Sequence, residues 1–362
     1  MTGGGVYPAL AILQASNVNP SQVLWIGSEG GMEAELISNS GLAFEGIPAA
    51  GLHGVGLLSI PGNIVKLLRG WQKARRVIQR FKPDVMLFTG GFIGVPVAFA
   101  AAKIPSLVFV PDIEPGLALK VLIYKSSMVA ATTELTRHYL PKDKSFIPSG
   151  YPLRQDLQHW KRNESRKHLN LDPNLPTILV FGGSKGAQSI NHSIAPLLPD
   201  ILKKFQVIHI WGMSNWEEGK AFQSSLPDDL ETNYRAFAFL HENMGATFAA
   251  SDLVICRAGA STMGELPFFG LPAILIPYPY AWRYQKQNAQ YLAEQGAALV
   301  LPDEENLSEN LEKTLNDLMN SPKIMEKMRA AMQNLNKPNA ALDIANSLIS
   351  LTQKSSLKGE TT

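Results

Sequence analysis

The sequence predicts an α/β protein built from two doubly wound, Rossmann-like domains facing across a cleft. At 362 residues the chain exceeds what one hydrophobic core normally supports, so two domains are expected. Short apolar runs alternate with helical stretches in both halves, a pattern that yields parallel sheets with right-handed crossovers. Several of these runs end in glycine-rich turns, and doubly wound sheets bind ligands at the carboxyl ends of their strands.

Residues 23–26, 85–88 and 107–110 read as strands of the first sheet, and 178–181, 207–210, 253–255 and 273–276 as strands of the second. The expected boundary lies near Arg154, after the Pro148 to Pro152 turn, giving domains 1–153 and 154–335. Residues 336–362 are expected to form a helix that packs back on the first domain, with a frayed polar tail from Ser355. A doubly wound domain needs a strand to feed its first glycine loop, yet only Met1 precedes Thr2. Either the start is placed too late or a central strand is missing. A late start is favoured, because losing a central strand would expose two neighbouring edges.

Composition narrows the class. Hydrophobic residues make up 45% and charged residues 18%, as in a globular protein, and the net charge of +2 suggests no general affinity for polyanions. No apolar run reaches the ~18 residues of a membrane span, and no signal-peptide pattern precedes the first glycine loop. Basic and aromatic residues do not interleave as a nucleic-acid surface requires. The single cysteine, Cys256, excludes an internal disulfide and fits a reducing, cytoplasmic compartment. Its apolar neighbours Val254 and Ile255 point to a buried thiol rather than a catalytic one.

Two turns carry the chemistry. Asp252-Leu253-Val254-Ile255 runs into Cys256-Arg257-Ala258-Gly259-Ala260-Ser261-Thr262-Met263-Gly264-Glu265. A strand, a small-residue turn and a helix leave unpaired N–H groups at the positive end of a helix dipole, a site suited to a diphosphate. Glu265 could then accept bonds from ribose hydroxyls, or simply lie on a solvated helix face. Thr177-Ile178-Leu179-Val180-Phe181 leads likewise into Gly182-Gly183-Ser184-Lys185-Gly186-Ala187-Gln188. This lacks the Gly-Lys-Ser/Thr ending of a Walker A loop and the Gly-x-Gly-x-x-Gly spacing of a dinucleotide loop. Two such turns without a metal-ligand cluster suggest a nucleotide diphosphate held by helix ends, with no metal cofactor.

Together the turns and their surroundings resemble the MurG family, whose members move N-acetylglucosamine from UDP onto the lipid-linked muramyl-peptide precursor of peptidoglycan. Thr2-Gly3-Gly4-Gly5-Val6 looks like that family's first glycine loop and Gly90-Gly91-Phe92-Ile93-Gly94 like its second. Met32-Glu33-Ala34-Glu35-Leu36, Gly51-Leu52-His53-Gly54 and Gly150-Tyr151-Pro152-Leu153-Arg154 fall where its other landmarks occur. The resemblance implies the GT-B glycosyltransferase architecture and a UDP-N-acetylglucosamine donor. It implies donor contacts at Arg154, Gly183, Ser184, Leu240, Ala260, Ser261, Thr262, Glu265, Gln285 and Asn288, with Thr2, Gly3 and Gly4 in the N-terminal loop. It also implies a peripheral position on the cytoplasmic face of the cell membrane.

The first domain departs from that pattern. The family's Thr-Gly-Gly-His loop has Gly5 at the histidine position, and its His-Glu-Gln-Asn motif falls on Phe109-Val110-Pro111-Asp112; Tyr284 stands where a glutamine is common. Inverting transfer needs a base near the attacking hydroxyl. Asp112 and Glu114 are the nearest replacements, and His53 is a further candidate; for each, capping of a loop is the competing role. Arg154 could contact the donor or bridge the domains.

A different signal lies in residues 57–83. Ile64, Leu67, Leu68, Trp71, Ile78 and Phe81 fall close to one helical face, and Lys66, Arg69, Lys73, Arg75, Arg76, Arg80 and Lys82 add positive charge with no acid before Asp84. A basic amphipathic helix with an exposed tryptophan suits an anionic membrane surface; a core helix with a solvated basic face gives the same pattern. The competing functions are a MurG-like transferase, a related transferase with another lipid or sugar acceptor, and a non-catalytic UDP-sugar-binding paralogue. A UDP-sugar epimerase is more distant.

Overall fold

The computed structural model describes residues 5–31, 33–50, 60–183, 186–240, 242–280 and 284–359. The chain divides into two units, one of Met1–Pro152 with Asn339–Thr362, the other of Leu153–Pro338.

The first unit contains β1 (Leu24–Ser28), β2 (Ala43–Ile47), β3 (Met86–Phe88), β4 (Ser106–Val110), β5 (Met128–Ala131) and β6 (Ser145–Ile147). All pairings are parallel, but they form two sheets, β1-β2 and β3-β4-β5-β6. Among the described residues no strand joins β1 to β3; the helix Val6–Ser16 is the first element. Side chains bridge the break instead. Ile47 of β2 packs in one core with Phe88, Val108 and Val110, covered by Ala74 and Ile78 of the helix Ile60–Phe81 and by Val97 and Leu122 of later helices. The Val6–Ser16 helix packs on the helix Ala340–Gly359, burying Val6, Ala9 and Ile12 with Ile344 and Ala345. That last helix extends to Gly359, past the Ser355 at which the polar tail begins.

The second unit is a six-stranded parallel sheet of β7 (Thr177–Phe181), β8 (Gln206–Ile210), β9 (Tyr234–Phe237), β10 (Leu253–Cys256), β11 (Ala273–Leu275) and β12 (Ala298–Val300). The strand order is β12-β11-β10-β7-β8-β9. From β7 the chain winds outward through β8 and β9, then returns to β10 and winds the other way. The reversal makes the β7/β10 junction the topological switch point, where such sheets open a ligand crevice. Every residue of β7, β8, β10 and β11 is buried, which is why these strands read as mainly apolar runs, with Gln206 and His209 of β8 as buried polar exceptions.

At the amino ends of β7 and β10, Asp252 acts as a clamp. Its Oδ2 accepts from Thr177 N at 2.9 Å and pairs with Arg166 Nη2 at 2.9 Å, while Oδ1 pairs with Arg162 Nη2 at 2.7 Å. The switch-point strands are therefore locked at the end opposite the crevice.

Candidate functional site

Phe181 and Cys256, the last residues of β7 and β10, are register partners, so both glycine turns leave the sheet side by side. The first turn contains glycines of different kinds. A Cβ at Gly182 would overlap Ala187, and one at Gly186, where φ is +84°, would run into the Trp211 carbonyl. Those two are required by the turn itself. Gly183 has φ of +97° and open space where its Cβ would be. Gly259 in the second turn is the most telling, because neither a positive φ nor a neighbour within 4 Å demands glycine there. Space that the protein leaves empty beside a turn is space for a ligand's backbone approach.

The helix Thr262–Phe269 follows directly. Its own bonds begin with Thr262 N to Gly259 O at 3.1 Å, and Thr262 Oγ1 donates to the same carbonyl at 2.6 Å. The amides of Gly259, Ala260 and Ser261 have no acceptor among the described residues, and they precede a helix N-terminus, where an anion is favoured. Glu265 lies one turn further on, half-buried among Thr262, Met263, Gly264 and Leu266. Desolvation pushes its carboxyl up to about 7, while a hydrogen bond from Ser261 and the charge of Arg154 pull the other way. A carboxylate held this close to neutrality gains much from hydroxyl donors supplied by a ligand.

Arg154 precedes the helix Gln155–Gln158 and pairs with Asp156 at 3.4 Å. Gln285 Oε1 accepts from Tyr278 N at 2.9 Å, at the carboxyl end of β11. Asn288 is fully buried and donates to the Ala258 carbonyl at 3.2 Å, steadying the approach to the second turn. Leu240 is half-buried just past β9, at the same edge but beyond β7 and β8. Arg154, Gly183, Leu240, Ala260, Ser261, Thr262, Glu265, Gln285 and Asn288 thus all belong to the second unit. Thr2, Gly3, Gly4, Ser184 and His53 lie outside the described residues. Cys256 is buried and burial pushes its thiol up, with the Glu265 charge adding to the effect, so it is a packing residue.

Sequence reasoning passed over Arg257, Ser189 and Asp303. Arg257 Nη1 pairs with Asp303 Oδ2 at 2.7 Å, and its Nη2 donates to Ser189 Oγ at 2.9 Å. The only signal was an arginine inside an otherwise small-residue turn. It also passed over the buried set around His209, whose Nδ1 lies 3.0 Å from Tyr234 Oη and whose Nε2 lies 3.2 Å from Asn191 Oδ1. Burial drives His209 down to about 3, so it is neutral.

In the first unit, Asp112 and Glu114 follow β4. Thr132 Oγ1 donates to the Pro111 carbonyl at 2.7 Å, fixing the loop. Asp112 is half-buried, whereas Glu114 is buried and paired with Lys120 Nζ at 3.3 Å. Phe109 and Val110 are core residues with no exposed surface, and Gly5 is pinned by Thr89 Oγ1 donating to its carbonyl at 2.7 Å. Among the described residues no group of three or more His, Cys, Asp or Glu side chains could hold a metal ion.

Comparison with known proteins agrees with this geometry. Residues 2–128 match the glycosyltransferase family 28 N-terminal domain and residues 177–347 its C-terminal domain. The UDP-N-acetylglucosamine--N-acetylmuramyl-(pentapeptide) pyrophosphoryl-undecaprenol N-acetylglucosamine transferase of Roseiflexus sp. (strain RS-1) is 36% identical, covering 95% of this chain and 92% of its own. The protein of the same description from Halothermothrix orenii is 36% identical over 98% of each. The crystal structure of Acinetobacter baumannii MurG superposes with a TM-score of 0.74 at 26% identity, covering 96% of this chain and 97% of that one. With two glycine turns meeting at the switch point and relatives of this closeness along nearly its whole length, the chain belongs to the MurG family of glycosyltransferases, of GT-B architecture.

Proposed function

We propose that the protein moves N-acetylglucosamine from UDP-N-acetylglucosamine to a lipid-linked muramyl-peptide acceptor in peptidoglycan synthesis. The convergence of the Gly183 and Gly259 turns, with Glu265 alongside, carries the donor half of this reading. The acceptor hydroxyl forms a bond to the anomeric carbon as the bond to the UDP oxygen breaks, inverting that centre. The amides of residues 259–261, which have no acceptor among the described residues, meet the charge developing on the departing diphosphate. Glu265 accepts from the ribose hydroxyls, and Gln285 and Arg154 contribute to donor contact. Release of UDP that depends on added lipid acceptor tests the reaction; release without acceptor, or none with any lipid-linked acceptor, would point to the epimerase or the non-catalytic paralogue.

The acceptor proton needs a base, and Asp112 is our candidate. Glu114, buried and paired with Lys120, is the second candidate. Asp112→Asn should lower turnover by about 10²–10⁴-fold while leaving donor binding intact; wild-type turnover would send the role elsewhere. Gly5 and the core residues Phe109 and Val110, standing where relatives carry polar groups, favour one alternative, a related transferase with a different lipid or sugar acceptor. An acceptor panel separates the two.

We also propose that the first unit sits on an anionic membrane surface. No helix among the described residues is long and apolar enough to cross a membrane. On the Ile60–Phe81 helix, Arg69, Lys73, Arg76 and Arg80 form one stripe, and Ile64, Leu68, Trp71 and Arg75 another, roughly 140° away. That 140° arc faces solvent, and the buried face, with Gly70, Ala74 and Val77, lies on the opposite, wider arc. Ile64 is 45% and Leu68 57% exposed, so apolar side chains do reach solvent; Trp71 is only half-buried beneath Arg75 rather than exposed. An apolar flank and a cationic flank on one helix suit insertion beside anionic headgroups. Reversing Arg69, Lys73 and Arg76 should abolish sedimentation with anionic vesicles, and wild-type binding should fall as salt rises.

A further inference from the structure

Arg257 lies one residue past β10, next to the turn that reads as the diphosphate site, so its expected role would be to meet the phosphates. Its side chain is instead occupied within the protein. Nη1 pairs with Asp303 Oδ2 at 2.7 Å and donates to the Ile276 carbonyl at 3.0 Å. Nη2 donates to Ser189 Oγ at 2.9 Å, and Ser189 Oγ donates onward to the same Asp303 oxygen at 2.9 Å. The Arg257 and Asp303 side chains are each only 10% exposed. The guanidinium also lies 5.3 Å from the centre of the Tyr278 ring, and the Tyr278 amide donates to Gln285.

These partners come from different parts of the carboxyl edge. Ser189 belongs to the helix Gln188–Ile194 that follows the first glycine turn, Arg257 opens the second, Ile276 and Tyr278 follow β11, and Asp303 follows β12. A guanidinium fork fixes direction as well as distance, which a flexible ammonium does not. We infer that Arg257, Asp303 and Ser189 are positioning residues that hold the two glycine turns and Gln285 in the arrangement the donor needs. Arg257 acts through this cluster and not as a ligand of the diphosphate. The inference rests on the donor-site reading above, but its first consequence can be measured without nucleotide.

In ligand-free protein, Asp303→Asn and Ser189→Ala should speed amide exchange at Gly186 and at Thr262, Met263 and Gly264, whose amides are bonded to carbonyls of the two turns, by about tenfold or more, with melting curves confirming a folded chain. In transfer assays both, and Arg257→Lys, should lower kcat by about 10- to 100-fold with a much smaller change in KM, since loosened turns misplace the reacting groups. Arg257→Lys combined with Asp303→Asn should be no worse than the poorer single variant, as expected for one unit. If Asp303→Asn fails to fold, Ser189→Ala, which deletes one hydrogen bond, carries the test. Unchanged exchange in Ser189→Ala, or tighter UDP-N-acetylglucosamine binding once Asp303→Asn frees the arginine, would overturn the inference. If wild type binds no UDP-sugar while exchange responds as described, the donor reading fails and the positioning of the turns stands.

Discussion

Donor affinity should depend on pH through Glu265. Its carboxyl sits at about 7, against an ordinary 4.5, because it is desolvated. Ribose hydroxyls donate best to the charged form, so protonation competes with binding. At a pKa of about 7 the group is roughly 9% ionised at pH 6 and roughly 90% at pH 8. UDP-N-acetylglucosamine should therefore bind about tenfold more weakly at pH 6 than at pH 8, a difference of about 1.4 kcal/mol. Titration calorimetry at pH 6, 7 and 8 measures this directly. The sugar nucleotide is the right ligand, since the terminal phosphate of UDP itself titrates in the same range. Glu265→Gln should bind weakly at pH 8 and lose the slope. A flat profile in wild type, or an unchanged slope in Glu265→Gln, would refute both the raised carboxyl and its ribose role. Stability carries the opposite sign: between about 4.5 and 7 the folded state holds a proton the unfolded state releases, so ligand-free protein loses this contribution as pH rises through that window.

Gly259→Ala should leave folding stability within about 0.5 kcal/mol, because its Cβ meets open space, yet weaken donor binding at least about tenfold in calorimetry. His209 predicts an acid limb. Held neutral down to about 3 against 6.5 when free, it costs stability as pH falls, about 2 kcal/mol at pH 5 relative to pH 7, and His209→Gln should flatten that part of the urea-unfolding profile. Asp252→Ala, which leaves buried Arg166 without its partner, should destabilise by about 3–5 kcal/mol in the same measurement, while Asp252→Asn retains the Thr177 bond and costs less.

Strands β4, β7, β8, β10 and β11 were legible in the sequence because burial on both faces makes them mainly apolar, His209 in β8 notwithstanding. The strands that escaped notice were β2, β5, β6, β9 and β12. β2, β6, β9 and β12 are sheet edges, with exposed or half-buried positions and polar residues such as Glu45 and Arg235, and β5 is made of Met128, Val129 and small alanines. The two glycine turns and Glu265 were legible for a different reason: a turn between a buried strand and a helix leaves a local signature. The Arg257–Asp303–Ser189 cluster leaves only an arginine inside a small-residue turn, since its members are far apart in sequence and meet only when β12, β10 and β7 align. Asn288 was read as a ligand contact through the resemblance, whereas its burial and its bond to Ala258 were visible only in three dimensions.

Because the Ala340–Gly359 helix belongs to the first unit, that unit is interrupted by the whole of the second in the order of synthesis. Leu153–Pro338 is one continuous stretch and can fold as it leaves the ribosome. The Val6–Ser16 helix, made early, must wait for almost the entire chain before Ile344 and Ala345 arrive to cover Val6, Ala9 and Ile12. During that interval an apolar face on the nascent chain stays open to chaperones and to other nascent chains. Among the described residues, β1-β2 and β3-β4-β5-β6 are also separate sheets within this unit. Completion of the first unit should therefore wait on translation of the Ala340–Gly359 helix, and deleting that helix should harm the first unit while sparing the second.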